Sequence, residues 1–273
     1  MATFIASDGA EIYYKDWGTG QPVIFSHGWP LDGDMWQSQM IYLASRGYRT
    51  IAFDRRGFGR SSQPWQGYGF DRLADDVAEL IETLDLRDVL LVGFSMGGGE
   101  VVRYTGRHGS RRVAKLALIS AVTPFMLKTD ENPEGIIKSV FDGMRAGVQA
   151  DHPQFIRDFS VFFYGTNRAG AQVSPGILEQ TFAIAMRASL KATFDCIAAF
   201  SETDFRSDLK LIDRPTLIIH GDDDQTAPIA VTANRAAKLI TDSTYKVYEG
   251  APHATPITHK ERVAADLLDF FIH

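Results

Sequence analysis

Apolar residues recur along the chain with two periods, and the two periods alternate. Positions 11–18, EIYYKDWG, alternate polar and apolar residues as a half-buried strand does. Positions 22–28, PVIFSHG, form an apolar run that ends at a glycine, the pattern of a strand buried on both faces. MWQSQMIYLASRG (35–47) changes to helical spacing and stops at Gly47, a predicted C-cap. YRTIAFD (48–54) is again a buried strand. In DRLADDVAELIETLDL (71–86), Leu73, Val77, Leu80, Ile81 and Leu84 share one helical side. DVLLVGF (88–94) predicts a strand, GGGEVVRYTGRHG (97–109) a helix and VAKLALISA (113–121) a strand. Apolar strands alternating with helices predict an α/β fold with a mainly parallel sheet covered on both faces.

From about Pro124 to Arg214 the strand period disappears. PEGIIKSVFDGMRAGV (133–148), PQFIRDFSVFF (153–163), PGILEQTFAIAMRA (175–188) and LKATFDCIAAF (190–200) all carry helical spacing. Ten of the 18 phenylalanines fall between Phe125 and Phe205. Those rings either form the cores of small helices or line an apolar pocket. Alternation resumes with PTLIIHG (215–221, strand), APIAVTANRAAKLI (227–240, helix), STYKVYEG (243–250, strand) and ITHKERVAADLLDFFI (257–272, helix). With no repeat, low-complexity run or long linker, the expected organisation is one domain. Its core is formed by 1–123 and 215–273, with a helical cap, 124–214, inserted between them.

One junction stands out. VLLVGFSMGGGEVV (89–102) sets a serine among glycines between a strand and a helix. A dinucleotide site would need G-x-G-x-x-G, but Ser95 occupies the second glycine position, and ISAVTP after the next strand lacks an acid for a ribose. A P-loop would need a Gly-Lys pair, and there is no lysine here. Gly93-Phe94-Ser95-Met96-Gly97 does satisfy G-x-S-x-G in a strand–turn–helix context. Small residues two before and two after the serine let the backbones pass in a sharp turn. The hydroxyl then projects at a helix N-terminus, where a developing anion is favoured.

A serine hydroxyl needs a base at neutral pH. At junctions of this kind the chain order is serine, acid, histidine. Of seven histidines, His253, His259 and His273 then remain. His253 lies in a loop after a strand, His259 on the predicted solvent side of the last helix, and His273 at the terminus, so His253 is the predicted base. The acid that orients it should come from LIIHGDDDQTAP; Asp224 is the choice and Asp222 the reserve, the rest of the acidic run being a solvated turn. His220 is expected to pack or hydrogen-bond at its strand end. Two amide donors are needed for an oxyanion: Met96, directly after the serine, and Trp29, after the His27–Gly28 pair. His27 itself is read as structural.

Composition narrows the partners. The net charge is −6 with 23% charged residues, so nothing draws the chain generally to nucleic acid or anionic membrane. Arg-Arg pairs at 55–56 and 111–112 are expected to be solvated loop or helix-end residues. The single cysteine, Cys196, allows no internal disulfide and reads as a small buried apolar residue. No cluster has metal-ligand spacing, so neither a metal nor another cofactor is expected. The first residues lack a secretory pattern and no apolar run approaches a membrane span, which makes the cytoplasm the expected compartment.

Taken together, FSHGWPLDGDMW, AFDRRGFGRSSQPW, LVGFSMGGGEVVRY, AFSETDFRSDL, HGDDDQ and APH resemble the α/β-hydrolase superfamily along essentially the whole chain. More narrowly, they resemble bacterial aryl esterases and cofactor-free (non-haem) haloperoxidases. The resemblance implies an α/β-hydrolase fold with a helical cap, a triad of Ser95, Asp224 and His253, oxyanion donors at Trp29 and Met96, and homo-oligomers. It implies a serine carboxylesterase acting on short-acyl, aryl-type esters. Pro30 implies further that hydrogen peroxide replaces water on the acyl-enzyme, giving peracids that oxidise halide; a Trp29–Pro30 bond in cis would re-aim the Trp29 carbonyl. Lactone or lactam hydrolysis uses the same machinery, and a receptor-like binding protein with residual hydrolysis is a reading from another class. One stretch departs from the family. His253 is followed by Ala254, Thr255 and Pro256 where glycine and a bulkier apolar residue are usual, which bears on the shape of the acyl pocket.

Overall fold

A computed structural model describes residues 2–273. Eight strands form one sheet in the order β1-β2-β4-β3-β5-β6-β7-β8. They are β1 (Ala2–Ile5), β2 (Glu11–Trp17), β3 (Gln21–Ser26), β4 (Tyr48–Phe53), β5 (Val89–Phe94), β6 (Val113–Ile119), β7 (Thr216–Gly221) and β8 (Ser243–Tyr248). β1–β2 and β2–β4 pair antiparallel; every other neighbouring pair is parallel. The central strands read as apolar runs because both of their faces are covered. Their side chains divide by the period of two between two cores. Ile24, Leu91, Leu116 and Ile218 face one, while Phe25, Val92, Ala117 and Ile219 face the other.

Helices α1 (Gln37–Ala44) and α11 (Lys260–Ile272) cover the second face through Leu43, Val263 and Leu267. α2 (Phe70–Thr83) and α3 (Met96–His108) cover the first, and the predicted apolar stripe of α2 supplies Leu73, Val77, Leu80 and Ile81. The turn after α1 closes at Gly47, whose φ is +88°. Between β6 and β7 lie α4 (Lys138–Ala150), α5 (His152–Tyr164), α6 (Pro175–Ala185), α7 (Leu190–Glu202) and the short α8 (Arg206–Lys210). The last stretches hold α9 (Ala233–Ala236) and α10 (Thr255–Thr258).

Several expectations need correction. The N-terminal β1 was not predicted; four residues are too few to establish a period. The first helix of the 124–214 segment begins at Lys138 rather than 133, because Ile136 instead bridges to Leu127 and its amide donates to the Met126 carbonyl. The helix expected over 227–240 shrinks to α9, flanked by turns. There, Thr232 Oγ1 donates to the Pro228 carbonyl at 2.8 Å and competes with regular winding. The last predicted helix breaks at His259 (φ −121°, ψ 36°) into α10 and α11. Cys196, by contrast, is fully buried as expected, and burial pushes its thiol up.

The strand order reverses direction at β3, which pairs with β4 on one side and β5 on the other. In open parallel sheets such a switch point opens a crevice beyond the strand ends. Ser26, the last residue of β3, lies in register with Gly93 of β5, so the loops after both strands meet above that crevice.

Candidate active site

Ser95 follows β5 and precedes α3 with φ +54° and ψ −118°. A non-glycine residue at positive φ is strained and persists only where its surroundings hold it there. The flanking glycines explain how the turn closes. A Cβ on Gly93 would stand 2.3 Å from the Gly97 carbonyl oxygen, and one on Gly97 would stand 2.3 Å from the Ser26 carbonyl oxygen. Gly98 is as tightly placed, 2.4 Å from the Ala121 Cβ, which accounts for the extra glycine as close helix–sheet packing.

Three distant segments converge here. His253, from the loop after β8, brings Nε2 to 2.9 Å from the Ser95 hydroxyl. Its Nδ1 donates to Asp224 Oδ2 at 2.7 Å. Asp224, from the turn after β7, accepts the amides of Thr226 (2.9 Å) and Ala227 (2.7 Å) on its other oxygen. Burial alone would raise the Asp224 carboxyl. The His253 charge and hydrogen bonds from His220 and His253 outweigh burial and hold it well below the usual carboxylate range. All three side chains are nearly sealed, at 6%, 4% and 1% exposure for Ser95, Asp224 and His253. The rings of Phe94 and Phe163 flank His253 with centroids 5.1 and 5.4 Å away.

The alternatives lie elsewhere. Asp222 caps the Gly250 amide at 2.6 Å, and Asp223 pairs outward with Arg168 at 2.7 Å. His273 sits exposed at the end of the chain. His259 corrects the sequence expectation: it is half-buried at the α10–α11 break, packed edge-on to Tyr248, and burial lowers its pKa.

The loop after β3 lies against the serine. A Cβ on Gly28 would stand 3.2 Å from the Ser95 Cβ. The Gly28 carbonyl accepts from His27 Nδ1 and from the Leu31 amide, each at 2.9 Å. Carbonyl and amide of a trans peptide point opposite ways, so the Trp29 N–H is turned away from those donors. The Met96 amide opens α3 and has no carbonyl one turn back to bond. The Trp29–Pro30 bond is cis.

Beneath this loop is a polar network that the sequence reading missed. Arg55 and Arg56 are fully buried, which overturns the expectation of solvated arginines. Arg55 pairs with Glu100 of α3, and Glu100 also accepts from Ser26 Oγ. Arg55 Nη2 donates to the His27 carbonyl at 2.6 Å, while its backbone amide donates to His27 Nε2 at 2.9 Å. His27 is thus fixed from both ends, and burial followed by the Arg55 charge pushes its pKa far down. Arg56 is held by Asp76 and Asp8, each at 2.6 Å. Sequence offered one hint, an acid on the otherwise buried face of α3.

Ser95 and His253 open into a cavity of about 500 Å³. Its walls are mostly apolar, with Trp29 and Val122 from loops after strands and Phe141, Phe155, Phe159 and Phe200 from the helices between β6 and β7. Trp29 is locked in that wall by its indole N–H, which donates to the Thr193 carbonyl at 3.0 Å, and by an edge-on contact with Phe159. Ala254 and Thr255, the departure noted in the sequence, are buried but line no part of this cavity; Thr255 Oγ1 instead ties the loop to the Pro252 carbonyl at 2.7 Å.

A glycine-flanked serine turn at the switch point of a mostly parallel sheet defines a class of fold, and comparison with known proteins agrees. The chain belongs to the alpha/beta hydrolase fold family, which residues 21–260 match. Its place within that family is among the non-haem haloperoxidases and esterase/perhydrolases. It is 52% identical to a non-heme haloperoxidase of Rhodococcus erythropolis, over 99% of both chains. It is 44% identical to a bifunctional esterase/perhydrolase of Acinetobacter calcoaceticus, again over 99% of both. The fold superimposes on a crystal structure of bromoperoxidase from Bacillus anthracis with a TM-score of 0.95 and 41% identity, covering all of each chain. No helix among the described residues is long and apolar enough to cross a membrane.

Proposed function

We propose that the protein is a serine carboxylesterase that cleaves short-acyl, aryl-type esters through an acyl-enzyme, and that hydrogen peroxide competes with water for that intermediate. The observation that carries this reading is the hydrogen-bonded series Ser95–His253–Asp224 at the floor of an apolar cavity. Ser95 Oγ attacks the ester carbonyl while His253 Nε2 takes its proton. Asp224, acting as an acceptor only, keeps the His253 proton on Nδ1 and stabilises the imidazolium. The Met96 and Trp29 amides hold the oxyanion. His253 then returns the proton to the departing alkoxide or phenoxide, leaving Ser95 acylated.

In the second half-reaction water gives up a proton to His253 and attacks the acyl carbon, releasing the acid and restoring Ser95. Peroxide in the same position gives a peracid, and a peracid oxidises halide without a bound redox group. The printed activities of the relatives support this pair of outcomes. The rings on the cavity wall support aromatic and other apolar esters. The helical segment 124–214, read as a cap over the core, supplies most of that wall.

The test is a panel of p-nitrophenyl and phenyl esters of increasing acyl length, each run with and without peroxide, with Ser95→Ala as control. The reading requires turnover that Ser95→Ala abolishes, and peracid that falls on Pro30→Leu. Turnover equal in both proteins would remove the esterase reading. Peracid unchanged by Pro30→Leu would remove Pro30 from it.

A further inference from the structure

The Asp224 carboxylate has a second imidazole beside it. His220, near the end of β7, is fully buried. Its Nε2 lies 3.0 Å from Asp224 Oδ2, the same oxygen that accepts from His253, and 2.8 Å from the Ala227 carbonyl. A carbonyl can only accept, so the His220 proton resides on Nε2. That proton points to the Ala227 carbonyl, and Asp224 Oδ2 lies beside the same nitrogen as a close polar contact. The ring's Nδ1 finds no hydrogen-bond partner among the described residues. The Ala227 amide meanwhile donates to Asp224 Oδ1 at 2.7 Å, so the turn from Asp224 to Ala227 is clasped from both sides. Thr232 Oγ1 closes the arrangement by donating to the Pro228 carbonyl at 2.8 Å, within 3.4 Å of His220 Nε2.

We infer that His220 is a positioning residue for the reaction: its Nε2–H fixes Asp224 and withdraws charge from the oxygen that holds His253. This rests on the serine esterase reading. A carboxylate that loses a donor becomes a stronger base and holds the neighbouring imidazolium more firmly. His253 then stays protonated to higher pH and is unavailable as a base. The other acids nearby are engaged or remote from this oxygen. Asp223 is paired with Arg168, Asp222 caps Gly250, and Asp158 of α5 lines the cavity with Gln154 as its partner.

Two substitutions separate positioning from space-filling. Glutamine carries its amide nitrogen about where imidazole has Nε2; asparagine reaches only about as far as Nδ1. His220→Asn should lower kcat about tenfold, leave KM within about twofold, and move the acid limb of kcat/KM up by about 0.5–1 pH unit. His220→Gln should restore most of kcat and return the limb towards the wild-type position. Equal losses in both variants with an unmoved acid limb would reduce His220 to a packing residue.

A measurement on the unaltered protein covers the case in which the variants do not fold. Nitrogen-15 NMR of the histidines should find the His220 proton on Nε2; a proton on Nδ1 would overturn the inference. That result is independent of ester turnover. A correct tautomer in a protein that hydrolyses no ester would therefore fault the functional reading and leave the contact standing.

Discussion

The two halves of the cavity are built on different principles. The floor, contributed by the sheet ends, is polar, sealed and held by several constraints at once. Ser95 is fixed by its glycines, Asp224 by two amides and two imidazoles, and His27 by Arg55 at both ends. The wall, contributed by α4, α5 and α7, is made of aromatic and aliphatic side chains, and some are well exposed, Phe162 at 49%. Hydrogen bonds and backbone strain tolerate little displacement, whereas apolar contacts tolerate exchange of similar volumes. Under the proposed esterase function, the floor fixes what reaction occurs, and the wall can change which ester is chosen without disturbing it.

That division can be broken at graded cost. The largest effect belongs to Ser95→Ala, which should lower kcat/KM about 10⁴–10⁶-fold for every ester alike, with little change in melting temperature. Steady-state kinetics over the ester panel checks it; a loss confined to some esters would place selection in the floor. Next is Glu100→Gln, which strands Arg55 in a dry interior. Breaking a buried pair by removing one partner costs about 3–5 kcal/mol, to be read by urea unfolding.

The seam between floor and wall responds to pH. Asp32, three residues beyond Trp29, pairs with Arg187 just after α6. Burial, and then the Asp54 charge, push its carboxyl up to about 6. Between about 4 and 6 the unfolded chain has released this proton while the folded chain retains it. Stability from this group therefore falls as pH rises through that window, by about 3 kcal/mol at most. Unfolding measured at intervals from pH 4 to 7 should show a declining contribution that Asp32→Asn removes. An unchanged difference between the two proteins across the window would contradict the raised Asp32 carboxyl.

Wall substitutions should act on choice rather than rate. Phe159→Ala enlarges the cavity beside Trp29 and should raise the ratio of long-acyl to acetyl ester kcat/KM about tenfold. The smallest effect is at Asp158, among the described residues the one charged side chain on the wall apart from the floor residues. It shares one face of α5 with Phe155, Phe159 and Phe162 and is solvent-exposed. Asp158→Asn should improve esters carrying a carboxylate about twofold to threefold relative to neutral ones, and added salt should erase the gain.

The floor was the more legible half in the sequence. A strand ending in a glycine-flanked serine, an acidic turn after a late strand and a histidine after the next one all sit at strand ends, and topology brings strand ends together. Among Asp222, Asp223 and Asp224, chain order alone could not choose; the structure separates them by burial and partner. The supporting network was hidden because arginine and glutamate on their own read as surface residues. Arg55 and Glu100 are 45 positions apart, and only the fold reveals that each neutralises the other. The wall was legible as phenylalanine-rich helices, yet which rings face the cavity depends on how those helices dock. The failed helix over 227–240 has a local cause, since the Thr232 hydroxyl donates to the Ala227 and Pro228 carbonyls that a helix would offer to its amides.

The central claim is that Ser95, activated by His253, becomes covalently acylated. Its most direct test is a p-nitrophenyl phosphonate ester, with release of p-nitrophenol followed by mass mapping of the modified peptide. One equivalent per chain, attached to Ser95, with labelling slowed at least a hundredfold by His253→Ala, is the predicted result. Labelling at another residue, or at the same rate without His253, would contradict the account.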